Sequence, residues 1–170
     1  NAYETEKIAK SKKNSNGVYL VPAFTGLGAP YWSPNSRGLL SGLTRNTDWK
    51  DIVRAVIESV AYQSFDLFKA MNRDGLKPRV VKVDGGMVSN NWFSQFLSDI
   101  LDIKVIRSKI SETTALGAAF VAGLYIGEFS SLKSISKRWK IDKRFSPKIN
   151  KSSRIKLLKG WEQAIKRTLL

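Results

Sequence analysis

The sequence predicts an α/β domain in which parallel strands alternate with helices. Short runs rich in β-branched and aromatic residues recur along the chain, as is typical of strands. Between them lie longer runs whose apolar residues recur every three to four positions, which is the period of a helix. Glycine and proline separate the two kinds of run. Strands and helices that alternate in this way favour a parallel sheet covered by helices.

The amino-terminal part of this pattern contains a helix end and one long helix. Residues 1–16 are interpreted as the end of a helix that begins upstream, followed by a lysine-rich turn, and residues 17–170 as one domain. The long helix begins at Asp48, with Thr47 or Asp48 as its N-cap. Because its apolar positions form a wide face that extends to Met71, we expect this helix to be buried along most of its length.

The remaining elements follow in the same alternating order. A helix over residues 113–125 is made of small residues, so we expect it to pack closely against a neighbour. A short basic helix is predicted over 132–139, and the last helix is amphipathic with Trp161 on its apolar face. The other predicted elements are strands at 18–23, 38–43, 79–84 and 103–106 and a helix at 90–101.

Composition restricts the chemistry that the chain can perform. It has no cysteine, which excludes disulfides, thiolate zinc sites and a cysteine nucleophile, and no histidine, the most common general base. The amino terminus lacks an apolar signal-peptide core, and the longest apolar stretch, residues 115–126, is too short to span a bilayer. We therefore expect a cytoplasmic protein without a membrane span, which uses carboxylates, backbone amides or a metal carried by its substrate.

The carboxyl-terminal segment is strongly basic. The net charge of the chain is +15, and residues 133–170 contain thirteen lysines and arginines against only Asp142 and Glu162. Such a segment can bind nucleic acid or another anionic surface, or it can be a solvated helix face. Because the charges are not interleaved with exposed aromatic residues as in single-strand binders, nucleic acid is the less favoured interpretation.

A glycine-rich turn, Asp84-Gly-Gly-Met-Val-Ser-Asn90, is the candidate binding site. It follows a predicted strand and leads into a helix, which is where open α/β sheets bind ligands. Gly85 and Gly86 leave room for a ligand against the backbone, the helix N-terminus favours phosphate, and Asn90 offers a donor and an acceptor to a base or ribose. The alternative is ordinary turn chemistry, in which Asp84 braces the backbone amides. No Gly-Lys-Ser/Thr follows, so this is not a Walker A loop.

Several segments together resemble the carboxyl-terminal half of the FGGY family of carbohydrate kinases, within the actin-like ATPase superfamily. The resemblance covers essentially the whole chain. The glycine- and aromatic-rich loop within residues 17–32 makes it closer to the glycerol-phosphorylating members than to the sugar-phosphorylating ones. The matching segments are the glycine- and aromatic-rich stretch 17–32, residues 38–43 followed by 51–58, the turn 84–90, residues 111–119 and the pair Gly160-Trp161.

This resemblance implies a partial actin-like or ribonuclease H-like domain at 17–170 whose early strands are missing. It implies that ATP or ADP, with Mg²⁺ carried on the nucleotide, binds at Gly85, Gly86 and Asn90. Complete members of this kind transfer the γ-phosphoryl group of ATP to glycerol, giving sn-glycerol 3-phosphate. Their glycerol-binding residues and carboxylate base lie in the amino-terminal half, so we expect no catalytic and no metal-ligating residue here. Glycerol would be a partner only through that missing half.

Three functional hypotheses follow for the chain as it stands. It is a fragment that contributes half of an ATP cleft and is inactive alone, a basic nucleic-acid-binding module at 133–170, or a non-catalytic interaction fragment. Missing strands would leave a sheet edge and one face of the helix at 48–71 uncovered, and both are association hazards. We therefore expect the isolated chain to self-associate or to be marginally stable.

Overall fold

The computed structural model describes residues 2–110 and 112–170. Asn1, in the predicted leading segment, and Ser111, in the motif at 111–119, lie outside the described residues. The described elements alternate as the sequence predicts, and a short 3-10 turn at Met87–Ser89 precedes the third helix. In chain order they are α1 Ala2–Ser11, β1 Tyr19–Val21, β2 Leu39–Ser41, α2 Trp49–Arg73, β3 Val80–Val83, α3 Asn91–Leu101, β4 Lys104–Ser108, α4 Thr113–Tyr125, α5 Leu132–Ser136, β5 Ile141–Phe145 and α6 Lys151–Thr168.

The strands form two small sheets in the part of the chain that the structure describes. β3 and β4 are parallel, with Val81 beside Val105, which confirms the predicted parallel arrangement for this pair. β1 and β2 are antiparallel, with Leu20 opposite Leu40, so the prediction of parallel neighbours is wrong there. The strand–loop–strand segment that joins them has no intervening helix, and a parallel pair needs a crossover connection that is usually helical.

β5 is an edge strand that the sequence analysis does not predict. It runs antiparallel to β4, with Phe145 opposite Val105, and the basic helix predicted over 132–139 ends at Ser136. Phe145 is the only buried residue of β5. Because an edge strand with one buried side chain shows no apolar alternation, its sequence resembles that of a polar loop.

α2 begins where the sequence predicts. Asp48 is the N-cap: its carboxylate accepts hydrogen bonds from the backbone N–H groups of Lys50 and Asp51, at 2.8 and 3.1 Å. The Asp51 carboxylate accepts the backbone N–H of Asp48 at 3.0 Å. This reciprocal pair is a capping box, which satisfies orphan donors at the first turn and fixes the start of the helix.

The buried face of α2 contains charged residues as well as part of the predicted apolar face. Asp51, Arg54, Glu58 and Asp66 are buried, whereas the expected core residue Val56 is 44% exposed. Ile57 and Ala61 of the predicted apolar face are buried in the core, and α1, β1 and α3 pack against the helix. The helix is therefore buried along much of its length, as predicted, and the burial of its charged groups requires the internal partners described below.

The core is an aromatic cluster that joins α2, α3 and α6. Tyr62 of α2 stacks on Trp161 of α6, with ring centroids 5.3 Å apart, and meets Phe96 of α3 edge-on at 5.6 Å. Trp161 is 2% exposed, as its predicted apolar position requires. Gly160 is needed beside it, because a Cβ there would lie 2.3 Å from the Tyr19 hydroxyl oxygen.

α4 does not pack as its small residues predict. Its alanines 115, 118, 119 and 122 are exposed, and Gly123 is its one buried residue. Gly123 packs against Phe129, and Phe120 meets the same ring edge-on at 5.5 Å. The close contact is therefore with the turn that follows the helix, while its remaining small-residue surface faces solvent.

Asp66 of α2 links the loop between β1 and β2 to the core. Its carboxylate accepts a hydrogen bond from Nε1 of Trp161 at 2.7 Å and a second from the hydroxyl of Tyr31. Tyr31 is thus attached to α2, whereas its neighbour Trp32 is 75% exposed. Burial raises the pKa of the Asp66 carboxyl, and the two hydrogen bonds only partly offset this effect.

This pKa shift has a pH-dependent consequence for stability. Because the folded-state pKa of Asp66 is raised, its contribution to the free energy of unfolding is fully present below the unfolded pKa of about 3.9 and is lost as the pH rises through the folded pKa. We expect Asp66→Asn to remove this dependence, so that its stability relative to wild type improves as the pH rises above about 4. Thermal unfolding of both proteins across the pH range measures the difference, with the exposed Asp74→Asn as control. A difference that does not change with pH would contradict the prediction.

Candidate functional site

The candidate site lies at the carboxyl ends of the two parallel strands. After β3, the turn 84–90 bends back into α3, and Ser108 ends β4 beside it. A cavity of about 250 Å³ occupies this edge. It is lined by Asp84, Gly85, Val88 and Ser89 of the turn, by Arg107, Ser108 and Lys109 at the end of β4, and by Asp142 of β5.

The two glycines of the turn serve different purposes. Gly85 has a φ of +90°, a conformation that side chains rarely adopt. Gly86 has an ordinary helical φ of −62°, so its backbone does not require glycine. A Cβ added at Gly86 would meet no atom within 4 Å. The surface beside Gly86 is therefore open, and a ligand can approach its backbone.

Arg107 holds the turn in place. Its Nη1 donates to the backbone carbonyls of Val88 and Ser89, at 2.6 and 3.2 Å. Its Nη2 donates to Oδ1 of Asn91 at 3.1 Å, and its Nε donates to Oδ2 of Asp142 at 2.7 Å. One guanidinium thus joins the turn, α3 and β5. The sequence analysis missed Arg107, because a single arginine in a strand has no motif or spacing to distinguish it.

The side chain of Asn90 forms its hydrogen bonds within the protein. Its Oδ1 accepts the backbone N–H of Phe93 at 2.9 Å, which makes it the N-cap of α3. Its Nδ2 donates to Oγ1 of Thr5 at 3.3 Å, and the residue is 2% exposed. The side chain that the sequence offers to a base or ribose therefore fixes the junction between the turn and the helix in this structure.

The carboxylates near the cavity form neither a catalytic pair nor a metal site. Asp142 forms an ion pair with Arg107, with Oδ2 of Asp142 2.6 Å from Nη2 of Arg107. Among residues 2–110 and 112–170, the Asp84 carboxylate accepts no hydrogen bond from the amides of its turn, so the expected bracing by Asp84 is not observed. The same residues hold no group of three or more acidic side chains that could bind a metal ion.

No helix in the described part of the chain is long and apolar enough to cross a bilayer.

The family of the chain follows from its sequence and this fold. The model of the carboxyl-terminal domain of the FGGY family of carbohydrate kinases matches residues 2–126. The chain therefore belongs to the FGGY family of carbohydrate kinases. It is a part of the actin-like, ribonuclease H-like fold that these kinases share, and the predicted fold class is confirmed.

Within this family the chain is similar to glycerol kinases. It is 52% identical to the glycerol kinase of Coxiella burnetii over 168 residues and 51% identical to glycerol kinase 1 of Pseudomonas aeruginosa over 166 residues. The structure of a Plasmodium falciparum glycerol kinase with ADP superimposes with a TM-score of 0.87 at 38% identity.

Each of these matches covers nearly all of this chain and a minor part of the relative. The alignments include 98–99% of the chain and 34% of each relative. The chain thus spans about a third of the length of the glycerol kinases that it resembles, and the predicted resemblance to a carboxyl-terminal portion is confirmed. The nucleic-acid interpretation of the basic segment is not favoured by any of these matches.

Proposed function

We propose that this chain forms the nucleotide-facing wall of an ATP-dependent glycerol kinase. The open backbone at Gly86, at the carboxyl edge of β3 and β4, carries this proposal. Edges of this kind bind ligands in open α/β sheets, and the turn leads into the N-terminus of α3, which favours phosphate. The ADP in the Plasmodium falciparum glycerol kinase structure, which is similar over 99% of this chain, supports a nucleotide as the ligand.

The three site residues have separate roles in this proposal. Gly85 supplies the left-handed backbone of the turn, and Gly86 supplies a surface without a side chain. Asn90 caps α3 and so sets the direction in which the turn presents its amides. Arg107 is a positioning residue, because it fixes the turn through the carbonyls of Val88 and Ser89 without lying on the Gly86 surface.

The same geometry limits what the chain does alone. The cavity has a volume of about 250 Å³, which is smaller than the roughly 300–1,000 Å³ of typical ligand pockets. This size agrees with a site of which the chain supplies only one wall. In the complete kinase, the γ-phosphoryl group of ATP would pass to a hydroxyl oxygen of glycerol, whose proton goes to a base. This reaction needs a positioned base and Mg²⁺. The acidic groups at this edge do not fit a resident metal, so Mg²⁺ would enter with the nucleotide.

The first test is titration calorimetry of the chain with Mg-ADP, with circular dichroism and sedimentation on the same sample. We expect saturable binding that Gly86→Val weakens by about tenfold or more, because the added side chain occupies the surface that the phosphates approach. Gly28→Val is the matched control, since a Cβ at Gly28 also meets open space. Sedimentation reports the expected self-association, for which Val56 and Leu67 of α2 are exposed apolar residues.

Either of two results would contradict the nucleotide site. A folded chain that takes up no Mg-ADP would show that the turn is not a preformed half-site. Equal weakening by Gly86→Val and Gly28→Val would show that the effect is not local to the turn. Unchanged far-ultraviolet circular dichroism in both variants ensures that the comparison is between folded proteins.

A further inference from the structure

α4 has an apolar face that no other described element covers. The helix carries no charged side chain, and a helix that is apolar on all sides is normally buried. Val121 and Tyr125, which lie four positions apart on one face, are 68% and 92% exposed, and Ile126 after the helix is 75% exposed. Among residues 2–110 and 112–170, no helix or strand packs extensively against α4. Because an uncovered helix of 13 residues is marginally stable in water, this face requires a partner.

β3 is an edge strand with one free side. In the strand order β3-β4-β5 only β4 adjoins it, so within the described parts of the chain the outer backbone groups of Val80–Val83 pair with no strand. Parallel strands are usually buried inside a covered sheet, and a free edge is a template for a further strand. The strand contains no proline, so it can accept such a neighbour.

The segment between α4 and β5 connects these two features. The ring of Phe129 packs against α4, and Cζ of Arg138 lies 4.7 Å from the centre of that ring. The next residue, Trp139, contacts β3, because Nζ of Lys82 lies 4.2 Å from the centre of its ring. The exposed face of α4 and the free edge of β3 therefore form one connected region, the α4–β3 surface (residues 80–83, 121, 125 and 126).

The α4–β3 surface suits an apolar partner rather than a charged one. α4 contributes no charge, although the net charge of the chain is +15. Lys82 is the one charged residue of β3, and its ammonium group contacts the ring of Trp139. Association at this surface would thus depend on the burial of apolar area and on strand hydrogen bonds, and only weakly on salt.

We propose that the α4–β3 surface docks the amino-terminal portion of a glycerol kinase, which would supply an extended strand beside β3 and apolar side chains against α4. The chain matches the carboxyl-terminal 34% of its relatives. It superimposes over 99% of its length on the Plasmodium falciparum glycerol kinase with a TM-score of 0.87. Its surface therefore has nearly the shape of the same third within a complete kinase, and such a shape fits the portion that adjoins it there.

This proposal rests on the family of the chain and not on the nucleotide site. None of the residues of the α4–β3 surface lines the cavity at the turn. A test of docking without nucleotide can therefore succeed or fail whatever the chain does with Mg-ADP.

The test joins the amino-terminal portion of the Coxiella burnetii glycerol kinase to the whole 170-residue chain through a linker with a protease site. After cleavage at about 0.15 M salt, where attraction between distant charges is screened, we expect both parts to elute as one complex in gel filtration. In Val121→Lys/Tyr125→Lys the Kd should rise about tenfold or more, because charged groups would enter an apolar contact. Ile155→Lys/Leu169→Lys adds the same charge at positions that are 42% and 43% exposed and should leave the complex intact.

Hydrogen exchange of the joined protein tests the strand separately. We expect outward-facing amides of β3 to exchange about tenfold more slowly, or slower still, than in the chain alone, because a new strand would bond them. The amides of β4 are the internal control, since β4 already has a neighbour on each side and its exchange should change less.

Three outcomes would overturn the proposal. A joined protein that does not fold, or whose parts separate after cleavage, would show that the surface does not fit this partner. Equal weakening in both double variants would mean that added charge acts at a distance rather than at α4. Self-association of the chain that Val121→Lys/Tyr125→Lys abolishes, with no complex in the cleaved protein, would make a second copy the occupant. Because Val121 and Tyr125 are exposed, circular dichroism of the chain alone should show the same fold in the variant.

Discussion

Arg54→Ala is expected to lower the free energy of unfolding by about 3–5 kcal/mol, the range measured when one partner of a buried ion pair is removed. Arg54 is 7% exposed and Glu58 is 1% exposed. The Nε of Arg54 donates to Oε1 of Glu58 at 2.8 Å. Its Nη1 donates to the backbone carbonyl of Ala9 at 2.8 Å and to that of Lys12. The guanidinium thus connects α2 to the end of α1.

Removal of Arg54 leaves Glu58 without its cation in a buried position. Burial already raises the pKa of the Glu58 carboxyl, and Arg54 is the largest opposing influence. In the variant, the hydroxyl of Tyr62, 3.2 Å from Oε2 of Glu58, would remain as a partner, but it is neutral. The buried carboxylate must then stay charged without a counter-ion or take up a proton, and either change destabilises the folded state at neutral pH.

Urea unfolding at 25 °C measures this effect, with Arg45→Ala as the control because Arg45 is exposed. Replacement of both partners by apolar residues, as in Arg54→Met/Glu58→Leu, should recover much of the loss, since no unpaired charge remains. A loss below about 1 kcal/mol in Arg54→Ala, the size seen for exposed ion pairs, would show that the pair is solvated and that this account of α2 is wrong.

Trp161→Ala is expected to cost about 3–5 kcal/mol, as is usual when a buried aromatic side chain is truncated to alanine. Trp161 is 2% exposed and is the largest fully buried side chain of α6. Its ring stacks on Tyr62 with centroids 5.3 Å apart. Its loss would open a cavity between α6 and α2, and the neighbouring rings are held by their own contacts and cannot collapse fully into it.

Trp161→Phe separates the two contributions of this side chain. It retains a ring against Tyr62 and loses the Nε1 donor to Asp66, so a smaller loss is expected than in Trp161→Ala. Trp49→Ala is the matched control, because Trp49 is 59% exposed and its truncation should change stability by less than about 1 kcal/mol. Chemical denaturation followed by circular dichroism gives all three values. Comparable losses in Trp161→Ala and Trp49→Ala would exclude α6 as a part of the core.

Much of the fold could be predicted because its signals are local. The start of α2 depends on Asp48 and Asp51, which are adjacent in sequence and form the capping box without help from other elements. The apolar positions of α3 and the packing of Trp161 follow from helical periodicity alone. The glycine-rich turn is local as well, since the end of a strand and the start of a helix follow each other directly.

Other features could not be predicted because they depend on partners distant in sequence. β5 is a strand only because β4 lies beside it, and its residues show no apolar alternation. The apolar pattern of α2 predicts the burial of Ile57 and Ala61. The burial of Arg54 depends on the carbonyls of α1 and its following turn, which only the tertiary structure brings beside it. In α4 the small residues predict close packing, but within the described residues no sheet or helix covers most of the helix surface.

The candidate site divides in the same way. The sequence by itself determined where the turn lies and which family the motifs resemble, because these depend on residue order. Only the tertiary structure decided that Asn90 is an N-cap bound to Thr5 and that Arg107 holds the turn. It also decided that Trp139 contacts Lys82 and so joins β3 to the segment that follows α4. Hydrogen bonds and cavities join residues that the chain separates by tens of positions, and no local pattern records which of them will meet.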